Sequence, residues 1–120
     1  MNEKKLISLI PGAAILTSKV AVFIPATVGG SAVDNSAEVD NAAALLSGLF
    51  GGATIQPGAG CWLSDSGALV KEATTTVYAF CSPEAAEDHA GAVVDFMQRI
   101  KAEMQQEAVA IEIDGKMIIF

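Results

Sequence analysis

Glu72 and Glu107 could act together as a carboxylate pair, and Ser66 with His89 as a nucleophile and its base. An acid and base pair needs a shared cleft and surroundings that push the two pKa values apart. A serine nucleophile needs its base within hydrogen-bond reach. The stretch GCWLSDSGALVKE, Gly60 to Glu72, places Asp65, Ser66 and Gly67 in an order found around some nucleophilic serines, just beyond the only tryptophan, Trp62. Cys61 and Cys81 are too few for a disulfide framework or a four-thiolate site, and both read as reduced, small apolar residues. One histidine, two distant cysteines and scattered carboxylates match no metal-ligand spacing, so neither a metal nor another cofactor is expected. GLFGGAT and TVGGS are glycine-rich, yet lack the spacing and the lysine of a phosphate loop; they read as turns.

The elements decide which of these groups can meet. KVAVFIP, Lys19 to Pro25, is rich in β-branched residues and stopped by proline, the pattern of a buried strand. After a loop at Gly29 and Gly30, Asn35 is placed to cap a helix, with Glu38 reaching back to the cap. Val39, Ala42, Ala43, Leu46, Leu49 and Phe50 give that helix an apolar face, and Gly51 and Gly52 end it. Residues 53–64 and 68–81 read as strands joined by the turn SDSG, where Asp and Ser can bond nearby amides and Gly67 tolerates positive φ. Ser82 and Pro83 open a second helix whose buried stripe is Ala86, His89, Ala90, Val93, Met97, Ile100 and Met104. Asp114-Gly115 predicts a final hairpin between 109–113 and 116–120.

This order, strand, helix, strand, strand, helix, strand, strand, predicts an α+β sandwich: the ferredoxin-like β-α-β-β-α-β unit with an extra C-terminal edge strand. Such a fold gathers Pro25 to Gly30, Trp62, Glu72, Gln106 and Glu107 near one end of the sheet. His89 lies early in the second helix, and a helix of about 24 residues spans about 36 Å. Ser66 therefore has no base, and no catalytic residue is assigned. A hairpin turning at Asp65 to Gly67 pairs Ser64 with Ala68, Trp62 with Val70 and Cys61 with Lys71. Cys81 then falls opposite Gly51, away from Cys61. Trp62, Tyr78 and Phe80 share one parity and hence one sheet face, the one away from the helices. An antiparallel sheet can leave that face open, and three aromatics there mark an interaction surface.

The segment Gly60-x-Trp62, the Asp65 to Gly67 turn, Glu72, and Gln106-Glu107-x-Val109 together resemble a family of small bacterial α/β proteins known only as a domain of unknown function. The resemblance spans residues 49–120. It implies the fold, transfers no catalytic role, and brings in members that often look secreted.

Composition bounds the rest. A chain of 120 residues, 52 % apolar and 18 % charged, suits one folded domain, taken as residues 19–120 with an appended segment 1–18. Lys4 and Lys5 ahead of an apolar run resemble the start of a secretory signal, but Pro11 and Gly12 break that run and no small-x-small cleavage pattern follows. A cytoplasmic protein is expected, with export as the alternative should residues 1–18 act as a signal. The run is too short and too broken to span a bilayer. With 14 acidic and 7 basic residues the formal charge is −7, which repels a phosphate backbone and argues against nucleic acid as a partner.

The leading expectation is a non-enzymatic binding or interaction module, a homodimer that holds a protein partner or a small apolar ligand. The open sheet face (Trp62, Tyr78, Phe80) or the end with Glu72, Gln106 and Glu107 would supply the surface. The enzymatic alternative is a small dimeric α/β barrel whose paired sheets enclose an apolar pocket, with Glu72 or Glu107 handling protons. The third reading, an acidic inhibitor of a basic nucleic-acid-handling protein, rests on net charge alone.

Overall fold

A computed structural model describes residues 2–120. Strand β1 (Ser18–Pro25) lies at the centre of a five-stranded antiparallel sheet. It is flanked on one side by the long hairpin β4 (Thr54–Leu63) and β5 (Leu69–Cys81), and on the other by β6 (Ala110–Ile113) and β7 (Lys116–Ile119). The spatial order β4-β5-β1-β6-β7 is the ferredoxin-like arrangement with one added edge strand. Helices α2 (Ser36–Phe50) and α3 (Pro83–Glu103) cover one face. A short ribbon, β2 (Thr27–Val28) and β3 (Ser31–Ala32), forms a sheet of its own after β1, and a six-residue helix α1 (Glu3–Ser8) with no buried residue precedes the sheet.

Strand alternation sorts the core. Val20, Val22 and Ile24 of β1 point toward the helices with Val77 and Ala79 of β5 and Ile111 of β6. They meet Val39, Ala42 and Leu46 of α2 and Val93, Met97 and Ile100 of α3, all buried. Phe96 is also buried, although the predicted stripe omitted it; His89 and Ala90 are only half-buried. His89 packs edge-on against Phe50, with ring centroids 5.8 Å apart.

The hairpin register is the expected one: Cys61 pairs with Lys71, Trp62 with Val70, and the Ser64 amide donates to the Ala68 carbonyl. Cys61 and Cys81 are both free, the first exposed and the second buried. Ser82 caps α3 by accepting the Ala85 amide at 3.1 Å, and Pro83 occupies the first turn. The cap of α2 differs from expectation. Asn35 makes no side-chain cap; its amide donates to the carbonyls of Pro25 (3.1 Å) and Ile24 (3.5 Å), fastening the helix start to the end of β1. Asp34 takes over locally, accepting from the Ser36 amide at 2.9 Å and from its hydroxyl. These two bonds hold the Asp34 carboxyl below the usual carboxylate range, the hydroxyl contributing most. Glu38 does not close a capping box, and its Oε2 is buried without a partner.

No helix among the described residues is long and apolar enough to cross a membrane.

Candidate functional site

The C-terminal end of α3 builds the first wall of a cleft. The helix closes in a Schellman arrangement: the Gln106 amide donates to the Lys101 carbonyl at 2.9 Å and the Gln105 amide to the Ala102 carbonyl at 3.3 Å. Gln105 takes the left-handed position, φ +51°, that glycine usually fills. The turn leaves Gln105, Gln106, Glu107 and Ala108 side by side at the sheet end. Facing them are Thr27, Gly29 and Gly30 of the ribbon, and Glu72 from β5 completes a cleft of about 510 Å³.

Glu72, Gln106 and Glu107, singled out from the sequence, therefore line one concavity. Trp62 does not. It sits opposite Val70, further out on the β4/β5 arm, diagonal to Glu72 on the same face, with 47 % of its surface exposed. Tyr78 and Phe80 lie on that face too, nearer the opposite end, in edge-to-face contact at 6.0 Å. Phe80 is 52 % exposed, while Tyr78 is half-buried beneath the Lys19 ammonium, 4.9 Å above its ring. Lys19 also pairs with Glu112 at 3.6 Å. The two alternative surfaces read from the sequence lie apart: Glu72, Gln106 and Glu107 line the cleft, Tyr78 and Phe80 form an aromatic patch, and Trp62 sits on the arm. Ser66 bonds the Ser64 hydroxyl at 2.9 Å in the hairpin turn, as a turn residue does.

Beside the cleft and sharing Ala108 with it, a hollow of about 220 Å³ opens among Phe23, Pro25, Thr74, Val109, Ala110 and Ile119. Sequence reasoning placed Pro25 to Gly30 at this end but missed the hollow and Gln105. The signal for the hollow was parity: Phe23, Thr74, Ala110 and Ile119 all project from the helix-free face. No signal pointed to Gln105, because the residue after α3 is not glycine. The arrangement offers two carboxylates at a polar opening with an apolar recess next to it, which suits a ligand that is cationic at one point and apolar at another. No group of three or more His, Cys, Asp or Glu side chains among the described residues could hold a metal ion.

Comparison with solved structures then identifies the architecture. The chain shares its fold with a phage SAM lyase. The lyase in complex with S-methyl-5'-thioadenosine superposes with a TM-score of 0.66 at 19 % identity, over 92 % of this chain and 94 % of the lyase. The apo lyase gives 0.62 at 20 %, over 86 % and 87 %. CutA from Synechococcus elongatus gives 0.48 at 13 %, over 84 % and 78 %. No protein-family model and no curated protein matches the chain. The small α/β fold implied by the domain-of-unknown-function resemblance is thus supported, whereas membership of that family is not.

Proposed function

We propose that this protein is a small α/β enzyme that binds S-adenosylmethionine, or a close sulfonium relative, in the cleft lined by Glu72, Gln106 and Glu107 and breaks one of its sulfur–carbon bonds. The observation that carries the reading is the convergence of Glu72 and Glu107 on one polar cleft beside an apolar hollow. It is supported by a fold shared with the SAM lyase over nearly the whole of both chains.

The chemistry suits the ligand. S-adenosylmethionine carries a sulfonium and an ammonium, and a protein with charge −7 attracts cations rather than phosphate anions. Release of S-methyl-5'-thioadenosine moves the electron pair of the sulfur–carbon bond onto sulfur and cancels its positive charge. The departing four-carbon fragment loses a proton or closes onto its own carboxylate. A glutamate pressed against sulfur would hold the substrate better than the transition state, because the charge there disappears; one placed against the ammonium carries no such penalty. One of the two carboxylates therefore anchors the ammonium and the other takes a proton or orients the fragment.

Incubation with S-adenosylmethionine, followed by chromatography and mass spectrometry, should show S-methyl-5'-thioadenosine accumulating. Glu72→Gln and Glu107→Gln should each lower the rate by about 100-fold or more, the usual reach of a positioned carboxylate. Tight binding without turnover would favour the non-enzymatic binding module. Undiminished turnover in both variants would remove the carboxylates from the mechanism.

A second copy of the chain covering the open sheet face belongs to the same reading. The exposed Trp62, Phe80 and Ile119 favour it.

A further inference from the structure

We infer that Gln106 is the positioning residue of the cleft: its side chain latches the glycine-tipped ribbon Thr27–Ala32 in the place where that ribbon can close on a ligand. The ribbon is bonded to no strand of the main sheet; it forms a two-stranded sheet by itself. Val28 is half-buried against the core, but Gly29 to Ala32 are exposed, and Gly29 (φ +55°) and Gly30 (φ +88°) both need the left-handed region. Such a ribbon has few means of keeping its position.

What ties it to the other wall is the Gln106 amide. Nε2 lies 2.9 Å from the Thr27 carbonyl, 3.2 Å from the Thr27 hydroxyl and 3.0 Å from the Met104 carbonyl. Its two hydrogens are shared among these three acceptors and are not available to a ligand. A longer bond joins the Gly29 amide to the same Met104 carbonyl at 3.4 Å. The tip also meets Gln105, whose Oε1 lies 3.0 Å from the point a Gly29 side chain would occupy. Gln106 thus joins the ribbon to the end of α3, and both segments line the cleft. The acceptors also specify an amide. A carboxylate at this position would set its oxygens against two carbonyl oxygens and repel the ribbon.

The role of the latch in ligand binding rests on the proposed function, whereas its effect on the ribbon does not. Gln106→Glu keeps the size and reverses the donor, and Gln106→Met keeps the length without a donor, so a folding failure of one leaves the other. In the ligand-free full chain, hydrogen exchange followed by mass spectrometry should be about tenfold faster or more for residues 27–33 of either variant, with the thermal midpoint nearly unchanged. Unchanged exchange in that segment would overturn the latch. Calorimetric titration with S-methyl-5'-thioadenosine should show about tenfold weaker binding or worse in both variants. Native affinity in a variant whose ribbon has loosened would overturn the positioning role. A native protein that binds no S-methyl-5'-thioadenosine would count against the ligand reading, while the exchange experiment still decides the latch.

Discussion

The two cysteines share the helix-side face of the sheet and differ in strand position, and that difference decides their chemistry. Cys61 stands on the exposed arm, whereas Cys81 faces the core at the end of β5. A thiol reagent should label Cys61 in the native protein and Cys81 only after unfolding, read by mass spectrometry of the intact chain. Burial pushes the Cys81 thiol up from its ordinary value, and the negative charge of Asp114 adds to the shift. Below about pH 9 both native and unfolded chains hold that proton, and the residue has no pH-dependent effect. Above it the unfolded chain ionises first, so stability is lost as pH rises toward the native pKa. Chemical denaturation at pH 8 and pH 10 should therefore show the native protein losing more stability than Cys81→Ala. Equal losses would contradict the shift. That the two cysteines lie apart was legible in the sequence, because one turn, SDSG, set the register; their unequal burial and the displaced cap at Asn35 were not. Its side-chain partners, the carbonyls at the end of β1, are distant in sequence and come within reach only once the sheet has formed.

Elements end here by two devices, and only one is visible in sequence. The Asp114-Gly115 turn uses left-handed residues, φ +54° and +80°, as a tight two-residue hairpin demands. Asp114 also works across the sheet. Its carboxylate accepts from the Lys19 amide at 2.8 Å and the Ser18 hydroxyl at 3.3 Å, and its own amide donates to the Lys19 carbonyl at 3.0 Å. Asp114→Ala should cost about 1–3 kcal/mol in chemical denaturation, since it strains the turn and strips the partly buried Ser18 contact of its partner. Asp114→Asn should cost less, because asparagine tolerates the same φ and retains one acceptor oxygen. The stop of α3 is the opposite case. Gln105 holds a position that glycine fills more easily, so Gln105→Gly should stabilise the chain by roughly 0.5–1 kcal/mol, the relief of φ exceeding the added freedom of the unfolded state. Strain of this kind is what functional sites retain, and here it lies at the cleft proposed to hold the ligand. Helix-stop rules look for glycine, and for that reason the end of α3 was placed by its apolar stripe instead.

At the scale of the whole molecule, the helix-free face and the arm lack the cover that the rest of the chain enjoys. Ladder partners show where the cover stops: β1 reaches β5 only as far as Thr74, so residues 59–73 of the hairpin pair with each other alone. A two-stranded hairpin is marginal in water by itself, and this one exposes Trp62, Leu63 and Leu69. On the same side as Trp62 lie Phe80, Met117 and Ile119, all exposed, interrupted by the Lys19–Glu112 pair. A second copy laid on this face would bury the aromatics and roof the hollow between Phe23 and Ile119. Light scattering at micromolar concentration should then give a mass above that of a single chain. Phe80→Glu, which puts a charge amid the aromatic patch without touching the helix-side core, should lower that mass to a single chain while leaving the circular dichroism of the folded domain intact. If the hollow needs its roof to hold the ligand, the same substitution should weaken S-methyl-5'-thioadenosine binding at low protein concentration, although Phe80 lines neither cavity. A native protein that scatters as a single chain would separate the cleft from any partner copy and leave its ligand to be held by one chain alone.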